Sequence, residues 1–138
     1  MKKLLIAAII SLSSVTTAAV AEVKVGIILG FTGPIESLTP AMRDGARMAF
    51  DEASNSGNLL GGETFTILEA DSTCVDSAAA TAAAEQLVAD GVAAIMGADC
   101  SGVTGAVNAN VAVPNGVLMV SPSATSPGLS KIADNGTF

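Results

Sequence analysis

The 138-residue sequence contains no histidine, tryptophan or tyrosine, only four phenylalanines, and 6 basic side chains against 13 acidic ones. Each scarcity removes a class of chemistry. Without histidine, no side chain has an ordinary pKa near neutrality, so Ser–His and Cys–His nucleophile pairs and the histidine-containing zinc sites are excluded. A net charge of −7 repels phosphate backbones and anionic bilayers, which argues against nucleic acid and charged membrane surfaces as partners. With so few aromatic rings, the core falls to Val, Ile, Leu, Met and many alanines.

Long apolar runs are scarce too. The run from Leu4 to Leu12 is far shorter than the ~20 residues needed to span a bilayer. Lys2 and Lys3 precede it, and small residues ending in Ala19-Val20-Ala21 follow it. This pattern predicts a secretory signal over residues 1–21, cleaved before Glu22, rather than a membrane anchor. Removing it with its two lysines leaves residues 22–138, one domain at most, at a net charge of −9. Behind an export signal, Cys74 and Cys100 read first as a disulfide. Closing that loop is worth about 3.5 kcal/mol on the chain-entropy model. The alternative, a catalytic thiol at Cys100, has no histidine to deprotonate it.

The remainder alternates strand and helix. "VKVGIIL" (Val23 to Leu29) is apolar on both faces, as a buried parallel strand should be. Thr39 and Pro40 predict the N-cap and first turn of a helix running to about Ser54, with Met42, Ala46, Ala49, Phe50 and Ala53 inward and Arg43, Arg47 and Asp51 outward. "TFTILEA" (Thr64 to Ala70) predicts a second strand, and Asp76 caps an alanine-rich helix stopping at Gly91. "VAAIM" (Val92 to Met96), a helix over Ser101 to Val113, and "VLMVS" (Val117 to Ser121) complete a β-α-β-α-β-α-β order. That order predicts an α/β fold, an open parallel sheet with helices on both faces and strand order 2-1-3-4. Ligands of such sheets collect beyond the carboxyl ends of the strands, which nominates the loops Gly30–Thr39, Gly97–Ser101 and Ser121–Ser130.

The turn "ADCSGVTGAV" narrows the chemistry by elimination. "GADCSGVT" has the glycine spacing of a phosphate loop, but Val103 stands where lysine is required and Asp99 adds a repelling charge. The nucleophile pattern G-x-S-x-G is absent, and the acidic residues fall singly, so neither a catalytic nor a metal site is expected and no cofactor is implied. What remains is an anion held without metal or lysine: the amides opening the helix at Ser101, plus its hydroxyl, suit a carboxylate. In "SPSATSP", Pro122 and Pro127 stiffen an irregular turn that frees the Ser123 carbonyl for an ammonium and the Thr125 hydroxyl. Together they describe an α-amino acid. Local chemistry leaves a second reading open, in which Ser101 merely caps its helix and Ser123, Thr125 and Ser126 are turn formers.

The succession "VKVGIILGFTGP", "DGARMAFDEAS", "ADSTC", "VAAIMGADCSGVTGAV" and "VLMVSPSATSPGLS" resembles the start of a periplasmic solute-binding protein of the branched-chain amino acid type, which serves an ABC importer. The resemblance implies a type I lobe. It also implies a ligand site of Ser101 with neighbouring amides such as Gly102, the Ser123 carbonyl, Ala124 and Thr125, and a disulfide between Cys74 and Cys100. Where relatives often carry an aromatic residue lining the side-chain pocket, this chain has Leu38. The family's members are two-lobed and several hundred residues long, so residues 22–138 are expected to be an N-terminal part of the first lobe, without the second. The implied partners are an amino acid and a membrane permease, and the implied setting is the periplasm, as a monomer when full length and not as an enzyme. The alternatives are a ligand-sensing receptor ectodomain of the same fold and, from another class, a small secreted hydrolase.

Overall fold

The computed structural model describes residues 22–138 except Leu60; the signal segment expected over residues 1–21 lies outside the described residues. The elements run β1 (Glu22–Leu29), α1 (Thr39–Asn55), β2 (Thr64–Asp71), α2 (Ser77–Ala89), β3 (Ala94–Gly97), α3 (Ser101–Val107) and β4 (Leu118–Val120). All strand pairs are parallel and the order is β2-β1-β3-β4, as the alternating pattern predicts. The register pairs Ile27 with Met96 and Met96 with Val120.

The two faces of the sheet are covered unequally. On one, Ile28, Ile95 and Met119 pack with Ala80, Ala84 and Leu87 of α2 and Val103 and Val107 of α3. The alanines let α2 lie close to the strands: a Cβ on Gly26 would be 2.9 Å from Leu87 Cδ1. On the other face α1 packs on β1 and β2, where Phe50 meets Phe65 edge to face at 5.0 Å between ring centroids. Beyond it Val25, Phe65, Ala94, Met96, Leu118 and Val120 line an apolar hollow of about 350 Å³.

Several local expectations shift. Asp76 caps α2 as predicted, its Oδ1 accepting from the amides of Ala78 and Ala79, and Gly91 (φ 86°) follows the helix end. Thr39, in contrast, is not an N-cap. Leu38 holds that position, and the buried Thr39 hydroxyl donates to the carbonyls of Gly30 and Glu36, tying together the ends of the loop before α1. Ala49 lies exposed, outside the inward stripe assigned to it, and Arg43 is half-buried beside Glu69. The helix predicted over Ser101 to Val113 instead changes pitch: α3 passes into a π-turn (Asn108–Ala112) and a last turn, α4 (Val113–Asn115), before Gly116 at φ 64°. Pro114, which has no N–H to donate, falls directly after the π-turn, where the ladder has already changed to the wider pitch in which the Val113 N–H bonds to the Asn108 carbonyl.

Cys74 and Cys100 form the expected disulfide, with Cα atoms 5.2 Å apart. It joins the turns after β2 and β3, which are not neighbours; β1 lies between them. The thiol nucleophile considered at Cys100 therefore has no free sulfur. No helix among the described residues is long and apolar enough to cross a membrane.

Candidate functional site

The carboxyl ends of four parallel strands bring four turns to one edge, and their polar groups are bonded chiefly to one another. Ser101 opens α3 but does not cap it: Cys100 is the N-cap and makes no side-chain cap bond. The Ser101 hydroxyl oxygen instead accepts from the amides of Thr125 (3.2 Å) and Ser126 (3.1 Å). With its lone pairs engaged by two donors, the hydroxyl hydrogen is left to donate outward. The capping alternative for Ser101 is thus replaced by a link between α3 and the "SPSATSP" turn.

The same turn is fastened at two more points. Ser121 Oγ donates to the Ala98 carbonyl and accepts from the amides of Ser123 and Ala124. Ser123 Oγ donates to the Asp99 carbonyl at 3.0 Å. Among the described residues, no hydrogen bond ends on the Ser123 carbonyl or the Thr125 hydroxyl, so an acceptor and a hydroxyl remain available. Thr104 closes the first turn of α3 onto the Cys100 carbonyl, so the amides of Ser101, Gly102 and Val103 precede the first intrahelical bond.

Of the six residues nominated for the ligand, the structure brings Ser101, Ser123, Ala124 and Thr125 into one bonded cluster. Gly102 follows on α3, solvent exposed. Leu38 belongs to the same sheet edge through the loop after β1, but it is 57% exposed and makes no bond to the cluster. A polar hollow of about 520 Å³ adjoins the cluster, with Ala124, Thr125, Ser126, Leu129, Asp134 and Phe138 in its wall. Ser101 and Leu38 are not part of that wall, so this hollow only overlaps the nominated set.

The sequence reading missed Asp99 as a structural partner, weighing it only as a charge hostile to phosphate. It is 2% exposed, and its carboxylate takes bonds from Gly30 and Ser72, 69 and 27 residues away in the chain, as well as from the adjacent Cys100 amide. Asp71, at the end of β2, plays a similar part nearer the surface. Burial alone would raise its pKa, but donation from the Thr32 hydroxyl (2.6 Å) and from the amides of Thr73 and Thr32 outweighs that and holds it below the ordinary aspartate value. Among the described residues, no group of three or more metal-ligating side chains converges.

Fold and edge together define an open parallel α/β lobe with its polar groups gathered at one end of the sheet. The chain belongs to the periplasmic binding protein family, whose model matches residues 22–138. It is 35% identical over 111 residues to the Leu/Ile/Val-binding protein BraC3 of Rhizobium johnstonii, covering 80% of this chain and 29% of that protein. It is 31% identical over 129 residues to the leucine-specific-binding protein of Salmonella typhimurium, covering 94% and 34%. Among solved structures it resembles the branched-chain amino acid transporter substrate-binding protein LivJ of Streptococcus pneumoniae, determined with isoleucine. That match has a TM-score of 0.75 and 31% identity, over 85% of this chain and 33% of the other. The chain therefore spans about a third of the length of the relatives it matches.

Proposed function

We propose that this chain is the N-terminal part of the first lobe of a substrate-binding protein for an ABC importer, taking a branched-chain amino acid in the periplasm. Residues 1–21 serve as the export signal, and the activity is capture rather than catalysis. The ligand's carboxylate meets the outward hydroxyl of Ser101 and the amides around Gly102, with the Thr125 hydroxyl beside them. The ammonium meets the Ser123 carbonyl next to Ala124, and Leu38 borders the side chain. A second lobe then closes over the ligand, and a membrane permease recognises the closed, monomeric protein.

The observation that supports this reading is the bonding of the Thr125 and Ser126 amides to Ser101 Oγ, which joins the proposed carboxylate donor to the turn that carries the Ser123 carbonyl. Sequence relatives named for leucine, isoleucine and valine support the side-chain class. A single wall leaves its ligand in contact with water, so the oxidised chain alone should bind L-leucine more weakly than micromolar. Amide chemical shifts followed during a leucine titration should move at Ser101, Gly102 and Thr125, and Ser101→Ala should shift the titration to roughly tenfold higher leucine. Calorimetry reporting micromolar affinity for the single chain would contradict two-lobe capture, and unmoved Ser101 and Thr125 amides at saturating leucine would overturn the site.

A further inference from the structure

Every turn at the carboxyl edge of the sheet is bonded to one residue. Asp99 Oδ2 accepts from the amide of Gly30, after β1, at 2.6 Å. Its Oδ1 accepts from the hydroxyl of Ser72, after β2, at 3.1 Å and from the amide of Cys100, before α3, at 2.9 Å. Its carbonyl accepts from the hydroxyl of Ser123, after β4, at 3.0 Å. All of these donors are neutral, and among the described residues no Lys or Arg pairs with Asp99.

We propose that Asp99 is the positioning residue of the ligand edge, holding Ser101 and the Ser123–Thr125 turn at the separation where a zwitterion meets both. The proposal rests on the reading above of which groups touch the ligand. The strands themselves do not depend on Asp99: their ladders and the core of Ile28, Ile95 and Met119 lie below the turns. Turns are where ordering costs most and packing returns least, so one buried acceptor shared by three donors has its main effect there. No neutral isostere can replace it. An asparagine has one acceptor oxygen, and turning that oxygen toward Ser72 and Cys100 sets its NH2 group against the Gly30 N–H. Donor then faces donor at the place of the shortest bond that Asp99 accepts.

The test is amide NMR on the oxidised chain, with L-leucine as the probe. In Asp99→Asn the Gly30, Thr125 and Ser126 resonances should move without ligand, while those of Ile28, Ile95 and Met119 stay in place. The leucine Kd should rise by roughly tenfold or more, the scale of losing a hydrogen bond to a charged group. The effect runs through Ser101, so Ser101→Ala combined with Asp99→Asn should bind no worse than Ser101→Ala alone; independent structural damage would add instead. Should Asp99→Asn fail to fold, Ser72→Ala removes one donor of three and should still move the Thr125 and Ser126 resonances, with a Kd change of about two- to fivefold. Unmoved Thr125 and Ser126 resonances, an unchanged Kd, or full additivity would each overturn the proposal. A wild-type chain that ignores leucine would sink the assignment of the ligand, whereas the ligand-free Thr125 and Ser126 shifts would still decide the role of Asp99.

Discussion

Met119 and Val120 are neighbours on β4 with opposite surroundings: Met119 is 1% exposed in the sealed core, with the π-turn Asn108–Ala112 against its strand, and Val120 is 62% exposed on the reverse face. The contrast extends along the sheet. Ile28 and Ile95 are sealed with Met119, whereas Ala94, Met96 and Leu118 share the open hollow with Val120. Equal hydropathy has been put to unequal use, because α1 reaches only β1 and β2. Burial of apolar area stabilises at about 25 cal/mol per Å², so the sealed face carries most of the packing energy of the lobe.

Reducing Cys74–Cys100 should disturb that contrast most. The bridge clips together the turn leading into α2 and the N-cap of α3, the two helices that seal one face. A closed loop of 26 residues contributes about 3.5 kcal/mol. Urea unfolding with and without reductant should differ by that order, and identical midpoints would remove the bridge from the account. Met119→Ala should follow, costing about 3 kcal/mol by the same assay, against well under 1 for Val120→Ala. Comparable losses at the two positions would erase the distinction between faces.

Adding volume sharpens the comparison from the other side. Gly26→Ala places a methyl 2.9 Å from Leu87 Cδ1 on the sealed face and should destabilise by about 1–2 kcal/mol, with Leu87 yielding. Ala94→Val, facing the hollow, should stay within about 0.5 kcal/mol of wild type. The smallest effect is on neither face. The folded pKa of Asp71 is lowered, so its contribution is present above the ordinary aspartate range and fades as pH falls through the lower folded value. Thr32→Val should flatten that part of the profile, read as urea midpoints between pH 3 and pH 6.

Strand order, the Asp76 cap, the Gly91 stop and the cysteine pairing were legible because each rests on a local pattern or on only two candidates. The open face was not. "VLMVS" has the same composition whichever helices cover it, and coverage depends on where α1 lands after its loop. Thr39 misled for a related reason: its hydroxyl suits an N-cap locally, but the loop closes on Gly30 and takes it. At the candidate site, Ser101, Ser123 and Thr125 stand out through turn chemistry. Asp99 does not, since the partners that give it meaning, Gly30 and Ser72, are distant in the chain and carry no motif.

The disulfide crossing between the turns of β2 and β3 forms an arch over the exit of β1. Residue 30 must pass beneath it, and a side chain there would put its first carbon 3.2 Å from Cys74 Cβ and 3.3 Å from Asp99 Oδ2. The clearance suits a hydrogen atom. Glycine at position 30 is therefore tied to the cysteines and not only to its own backbone, and a larger residue there would need Cys74 and Asp99 to yield by a few tenths of an ångström.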